Sequence, residues 1–138
     1  MKRWGVAYLA TGLTFVALDY LWLTTASPRL YQNEIGLLLL AQPKLAPAVA
    51  FYLIYLVGVV AFVVIPAAEK GQLRAAALRG ALFGVVAYAT YDLTNLATLE
   101  GFTIRVAVID MIWGALVTAV SAGAGYLAAS RVRPTIAA

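Results

Sequence analysis

Three aspartates stand in stretches otherwise apolar enough to cross a membrane: Asp19 in "LDYLWL", Asp92 in "YDLTNL" and Asp110 in "IDMIWG". Each is followed three residues later by a side chain able to donate a hydrogen bond, Trp22, Asn95 and Trp113 in turn, near it on the same helical face. Carboxylates in such a setting could serve as general acid and base, handle a proton, or accept bonds from a polar solute. With Asn95 they could also form an all-oxygen cation site, but no spacing specific to a metal chemistry is present, and no metal or cofactor is expected. The chain has no His and no Cys, which removes imidazole and thiolate ligands, disulfides and thiol nucleophiles. Lys2, Lys44 and Lys70 all fall at helix ends, so a buried Schiff-base lysine is not available.

The elements that must hold these acids follow from composition. With 64% hydrophobic and 12% charged residues, a chain of 138 has more apolar surface than a soluble core of its size can hide. Four runs are long enough to span a bilayer, at about residues 4–26, 46–67, 75–99 and 103–130. An all-α, four-transmembrane-helix bundle is expected, one integral membrane domain over residues 1–138. The start "MKRWGVAYLATGL" has the pattern of a signal peptide, but Asp19 interrupts its apolar run, so a retained first helix is expected. Lys2, Arg3, Lys70, Arg74, Arg79, Arg131 and Arg133 fall on one side of the spans, against Arg29, Lys44 and Arg105 on the other. That bias predicts both termini to be cytoplasmic. The net charge of +4 fits this topology and contact with anionic lipid headgroups, and gives no reason to propose nucleic acid.

Between the first two spans, "SPRLYQNEIGLLLLAQPKLAP" is too short to cross the membrane. It suits an interfacial or re-entrant helical segment with Leu37 to Leu40 in the lipid boundary, or equally a helical extension packed as a lid. Small residues recur every four positions, at Ala76, Gly80 and Gly84 and again at Gly114, Thr118 and Ala122. Such ladders let backbones approach, either inside the bundle or across a homodimer or larger membrane complex. Pro66 is expected to terminate the second helix, and Trp4 to anchor the first at the interface.

Counted from the basic residues that mark the inner boundary, Asp19 lies 16 residues past Arg3, Asp92 13 past Arg79, and Asp110 21 before Arg131. At 1.5 Å per residue these depths are roughly 20–30 Å, one layer in the outer third of the membrane. On the first helix Gly12, Val16, Asp19 and Trp22 are expected to share a face. Asp92 and Asp110 continue the small-residue ladders and should point into the bundle. Tyr52 and Tyr55 lie at a similar depth and can donate there, as can Tyr20, Tyr91 and Thr94. Arg29, Lys44 and Arg105 are the cations available for pairing. Trp22 and Trp113 fit an aromatic belt as well as the wall of a site.

The stretches "GALFGVVAYATYDLTNLATLEGF", "VIDMIWGAL", "ALDYLWL", "LYQNEIGLLL" and "FYLIYLVGVVAFVVIPA" resemble the bacterial membrane-protein family catalogued as domain of unknown function 2177. The resemblance implies a compact four-helix protein of the bacterial inner (cytoplasmic) membrane, sometimes encoded near lipid-modifying enzymes. It marks Asp92, Leu93, Thr94, Asn95, Asp110 and Trp113 as family-typical and assigns none of them a role. Three functions stay open on the residues. The layer of Asp19, Asp92, Asn95 and Asp110 could bind, and even move, a small polar solute, lipid headgroup or proton, with Asp92 as central acceptor and Thr94 and Asn95 orienting it. It could act on a membrane lipid with Asp92 and Asp110 as acid and base. Or the chain could be an accessory subunit whose acids only lock helices together. Membrane lipids are the expected partners in all three.

Overall fold

The computed structural model describes residues 1–132, so Arg133 lies outside the described residues. Four helices are long and apolar enough to span a membrane: α1 (Lys2–Thr25), α3 (Leu45–Glu69), α4 (Leu73–Thr98) and α5 (Ile104–Ser130). A short helix, α2 (Ser27–Ile35), and a single 3-10 turn, Gly36–Leu38, fill the connection between α1 and α3. Helices suit these runs because each satisfies its own backbone, which lipid cannot do. The two tight turns are set by glycines in the left-handed region, Gly71 (φ 65°) and Gly101 (φ 84°), where a side chain would be strained. Thr103 then starts α5, its side-chain oxygen accepting from the Val106 N–H at 3.3 Å. Both ends of the described chain and the 70–72 turn lie at one end of the bundle, the basic end; α2 and the 99–103 turn lie at the other, the cap end.

α5 is the central element, packed along α4 on one side and α1 on the other. The small-residue ladders make the α4–α5 contact. A Cβ on Gly80 would lie 2.9 Å from Ala122 Cβ, and one on Gly84 would collide with the Gly114 carbonyl. Gly114 in turn makes room for the Tyr88 ring, and Gly125 for Thr11 where α1 crosses. The ladders therefore serve helix packing inside this chain.

α3 departs from expectation at Pro66. The helix runs on to Glu69, and the residues before the proline, Val60–Val64, form a π-turn in which Ile65 N–H bonds the Val60 carbonyl. Proline has no N–H to give and its ring crowds the carbonyl four residues back, and the wider turn accommodates both without ending the helix. The contacts of α3 change at this point. Residues from Val60 onward pack on α4 and α5, whereas Leu45–Val59 leans mainly on α1. Toward the cap end α3 and α4 thus diverge.

The connection helix α2 docks on the cap end of the bundle. Its Ile35 is buried with Phe102, Val106 and Ala107, and Leu30 and Tyr31 pack on the same cluster. Leu37 to Leu40, expected as helical, form the 3-10 turn and an irregular strand of chain and are exposed.

Candidate intramembrane acid site

All three aspartates are buried: Asp92 is 0% exposed, Asp19 8% and Asp110 9%. α1 presents Asp19 together with Ala7, Thr11, Gly12 and Phe15. The expected neighbour Val16 instead faces outward, 49% exposed, because Phe15 takes the core position against Tyr52 and Tyr55. Asp92 and Asp110 continue the ladders on α4 and α5, as their spacing requires.

Asp19 and Asp110 are tied to other helices. Tyr52 on α3 donates its hydroxyl to Asp19 Oδ2, and Trp113 Nε1 on α5 donates to Asp19 Oδ1 at 3.3 Å. Tyr31 on α2 donates to Asp110 Oδ1, and its hydroxyl oxygen accepts from Trp22 Nε1 at 3.0 Å. The indoles of Trp22 and Trp113 stack face to face, ring centres 4.5 Å apart and planes 8° apart. They therefore line the acid layer from within. The two antiparallel Asp-x-x-Trp motifs serve each other crosswise: Trp113 bonds the acid of α1, and Trp22 reaches the acid of α5 through Tyr31. Burial, then the bond to Asp110, pushes the Tyr31 hydroxyl pKa above its ordinary value.

Asp92 is different. Both of its carboxylate oxygens are buried without a hydrogen-bond partner. The neighbours expected to orient it do not. Thr94 is exposed and bonds back to the carbonyls of Thr90 and Tyr91 on its own helix, while Asn95, half-buried, leaves the Asp92 oxygens unbonded. Asp110 is near enough for the two carboxyls to interact electrostatically. Among the described residues no arginine or lysine forms an ion pair with the layer. Arg105 pairs with Glu34 at 2.9 Å, the one ion pair among the described residues.

Tyr55 also departs from expectation: its hydroxyl is 2.7 Å from Thr118 Oγ1, about two helical turns from Asp110 toward the basic end, rather than on an acid. Tyr91 is 61% exposed, its ring edge-on to Phe102, and Tyr20 is 70% exposed. Beside the acids, where α3 and α4 diverge, is a cavity of about 360 Å³ lined by Ala48, Phe51, Ala87, Tyr88, Tyr91 and Asp110. Among the described residues no group of three or more His, Cys, Asp or Glu side chains has the geometry to hold a metal ion.

Sequence reasoning missed Tyr31 and Tyr88. Leu30, Tyr31 and Ile35 form one apolar face in an otherwise polar segment, which was the available sign that α2 docks on the bundle. Tyr88 stands four residues from both Gly84 and Asp92, a large ring in a ladder of small residues.

The fold and its buried polar layer define a small helical membrane protein with four candidate spans. The chain belongs to the predicted membrane protein family DUF2177, whose family model matches residues 4–127. That stretch includes all three acids and each of their donors. No curated protein and no solved structure matches the chain.

Proposed function

We propose that this is a bacterial inner-membrane protein, both termini cytoplasmic, whose acid layer lies in the outer half of the membrane and binds a small polar group. A solute, a lipid headgroup or a proton would meet the requirement, with Asp92 as acceptor. The observation that carries the proposal is the state of Asp92: fully buried, both oxygens unpartnered, beside a second carboxyl. A buried acceptor without a donor costs about 1–3 kcal/mol, which a fold has no reason to retain for packing alone. Asp19 and Asp110 divide the labour differently, since bonds from Tyr52, Trp113 and Tyr31 make them ties between helices. α2, latched over Asp110, closes the site on the outer side. The orientation rests on the distribution of Lys and Arg between the two ends.

Native mass spectrometry of the protein released gently from membrane, wild type against Asp92→Asn, tests the proposal. A bound molecule present on wild type and lost from the folded variant is the expected result. A bare protein, or an identical spectrum for both, would leave the acids as helix ties.

A further inference from the structure

The proposed site has walls as well as an acceptor, and their chemistry restricts what enters. The cavity beside Asp110 opens between α3 and α4 at the cap end, where Leu45–Val59 leans toward α1. Phe51 and Tyr91 at its mouth are 47% and 61% exposed, on the surface that lipid covers, so the opening is lateral. Phe51, Tyr88 and Tyr91 supply three aromatic rings, Asp110 a carboxyl, and none of the lining residues is basic. Asp92 is not among the lining residues; its unpartnered carboxyl is buried behind the wall, on the same helix as Ala87, Tyr88 and Tyr91, and adds a second acid to the layer.

Resting on the proposed binding function, we infer that the ligand is a cationic ammonium group, primary or methylated, which enters between α3 and α4. Such a group brings what the site lacks. A primary ammonium has three donors for acceptor oxygens, and either form offers a positive charge to Asp110, to the acid behind it and to the faces of the rings. An anionic group would face Asp110 with no cation within the walls, and a neutral hydrocarbon would leave both acids without a counter-charge. The volume, at the small end of ligand cavities, fits a headgroup and excludes an acyl chain. The ammonium group could belong to a membrane lipid or to a soluble amine, and the chemistry of recognition is the same.

The test uses the purified full chain in detergent, with lipids added back and retention read by native mass spectrometry. Phosphatidylethanolamine should be retained at least tenfold over phosphatidylglycerol, and Asp92→Asn should abolish the preference while the melting temperature shows that the variant is folded. Retained phosphatidylethanolamine assigns the group to a lipid; soluble ethanolamine or choline bound in an Asp92-dependent way, with no lipid preference, assigns it to a free amine. Phe51→Leu, which keeps the apolar wall and removes a ring, should weaken either ligand several-fold. Equal or greater Asp92-dependent retention of phosphatidylglycerol would overturn the ammonium assignment and leave the binding site standing. If no molecule of any charge binds in an Asp92-dependent way, the ammonium assignment and the proposed function fall together.

Discussion

Replacing Asp92 should make the protein more stable while removing the proposed binding. The carboxyl is fully buried, and neither oxygen receives a hydrogen bond. Each such orphan acceptor costs about 1–3 kcal/mol relative to a bonded or solvated one, and exchanging a buried ionisable group for an apolar one of similar volume is commonly neutral or stabilising. Asp92→Val removes both acceptors at a modest change in volume. Part of the gain is lost to imperfect packing, so a net increase of about 1–3 kcal/mol is expected. Asp110→Val provides the contrast, because it leaves the Tyr31 hydroxyl without the acceptor to which it donates. A loss of about 1–3 kcal/mol is expected there. Reversible unfolding in mixed micelles of a mild detergent and dodecyl sulfate measures both. If Asp92→Val lost more than about 1 kcal/mol, the acid would have structural partners, and its assignment as a free acceptor would be wrong.

Tyr31→Phe should free α2 at a cost of about 1.5–3 kcal/mol to its docking, seen as faster hydrogen exchange over Ser27–Ile35 with little change in α4. In the wild type the Tyr31 pKa is raised above its ordinary 10.0, first by burial and then by Asp110, so its neutral form is favoured in the folded state. Its stabilisation is fully present below pH 10 and is lost as pH rises above it; alkaline titration of α2 exchange should therefore show release in wild type and none in Tyr31→Phe. Gly84→Ala, whose Cβ collides with the Gly114 carbonyl, should destabilise by about 1–3 kcal/mol, whereas Gly123→Ala, with its nearest neighbour 3.9 Å away, should be close to neutral in the same unfolding assay. Arg105→Gln should change stability by less than about 1 kcal/mol, because Arg105 is 69% exposed; a larger loss would mean that the pair with Glu34 carries the docking of α2.

The four spans were legible because bilayer thickness leaves a long apolar run few alternatives, and their ends fall within two residues of the expected limits. The inward facing of Asp92 and Asp110 was legible for a related reason: ladders at four-residue spacing fix a face, and both acids continue one. Tertiary packing decided what periodicity could not. Phe15 and Val16 are both one turn from Asp19, and only the rings of Tyr52 and Tyr55 select Phe15 for the core. Pro66 reads as a stop in sequence, since nothing local announces the π-turn that absorbs it. The partners of Asp19 and Asp110 come from 33, 94 and 79 positions away, distances at which no local pattern speaks.

Those long-range partners also explain why one acid of the three stands apart. Asp-x-x-Trp occurs on α1 and α5, which run antiparallel, and the stacked indoles let each motif serve the acid of the other helix. The third copy, on α4, has Asn95 in place of tryptophan, and the motif of its antiparallel neighbour α5 is already engaged with α1. The exchange between α1 and α5 is closed, so Asp92 is left without a donor, on the helix that borders the divergence from α3. The arrangement that locks the bundle thus also leaves one buried acceptor unpaired on the helix that walls the lateral cavity. Asn95→Trp tests that logic: a new indole near Asp92 should raise stability only if it reaches the carboxyl, and should then abolish Asp92-dependent binding without altering the acid itself. Ligand retention undiminished in a more stable Asn95→Trp protein would show that Asp92 is not the acceptor.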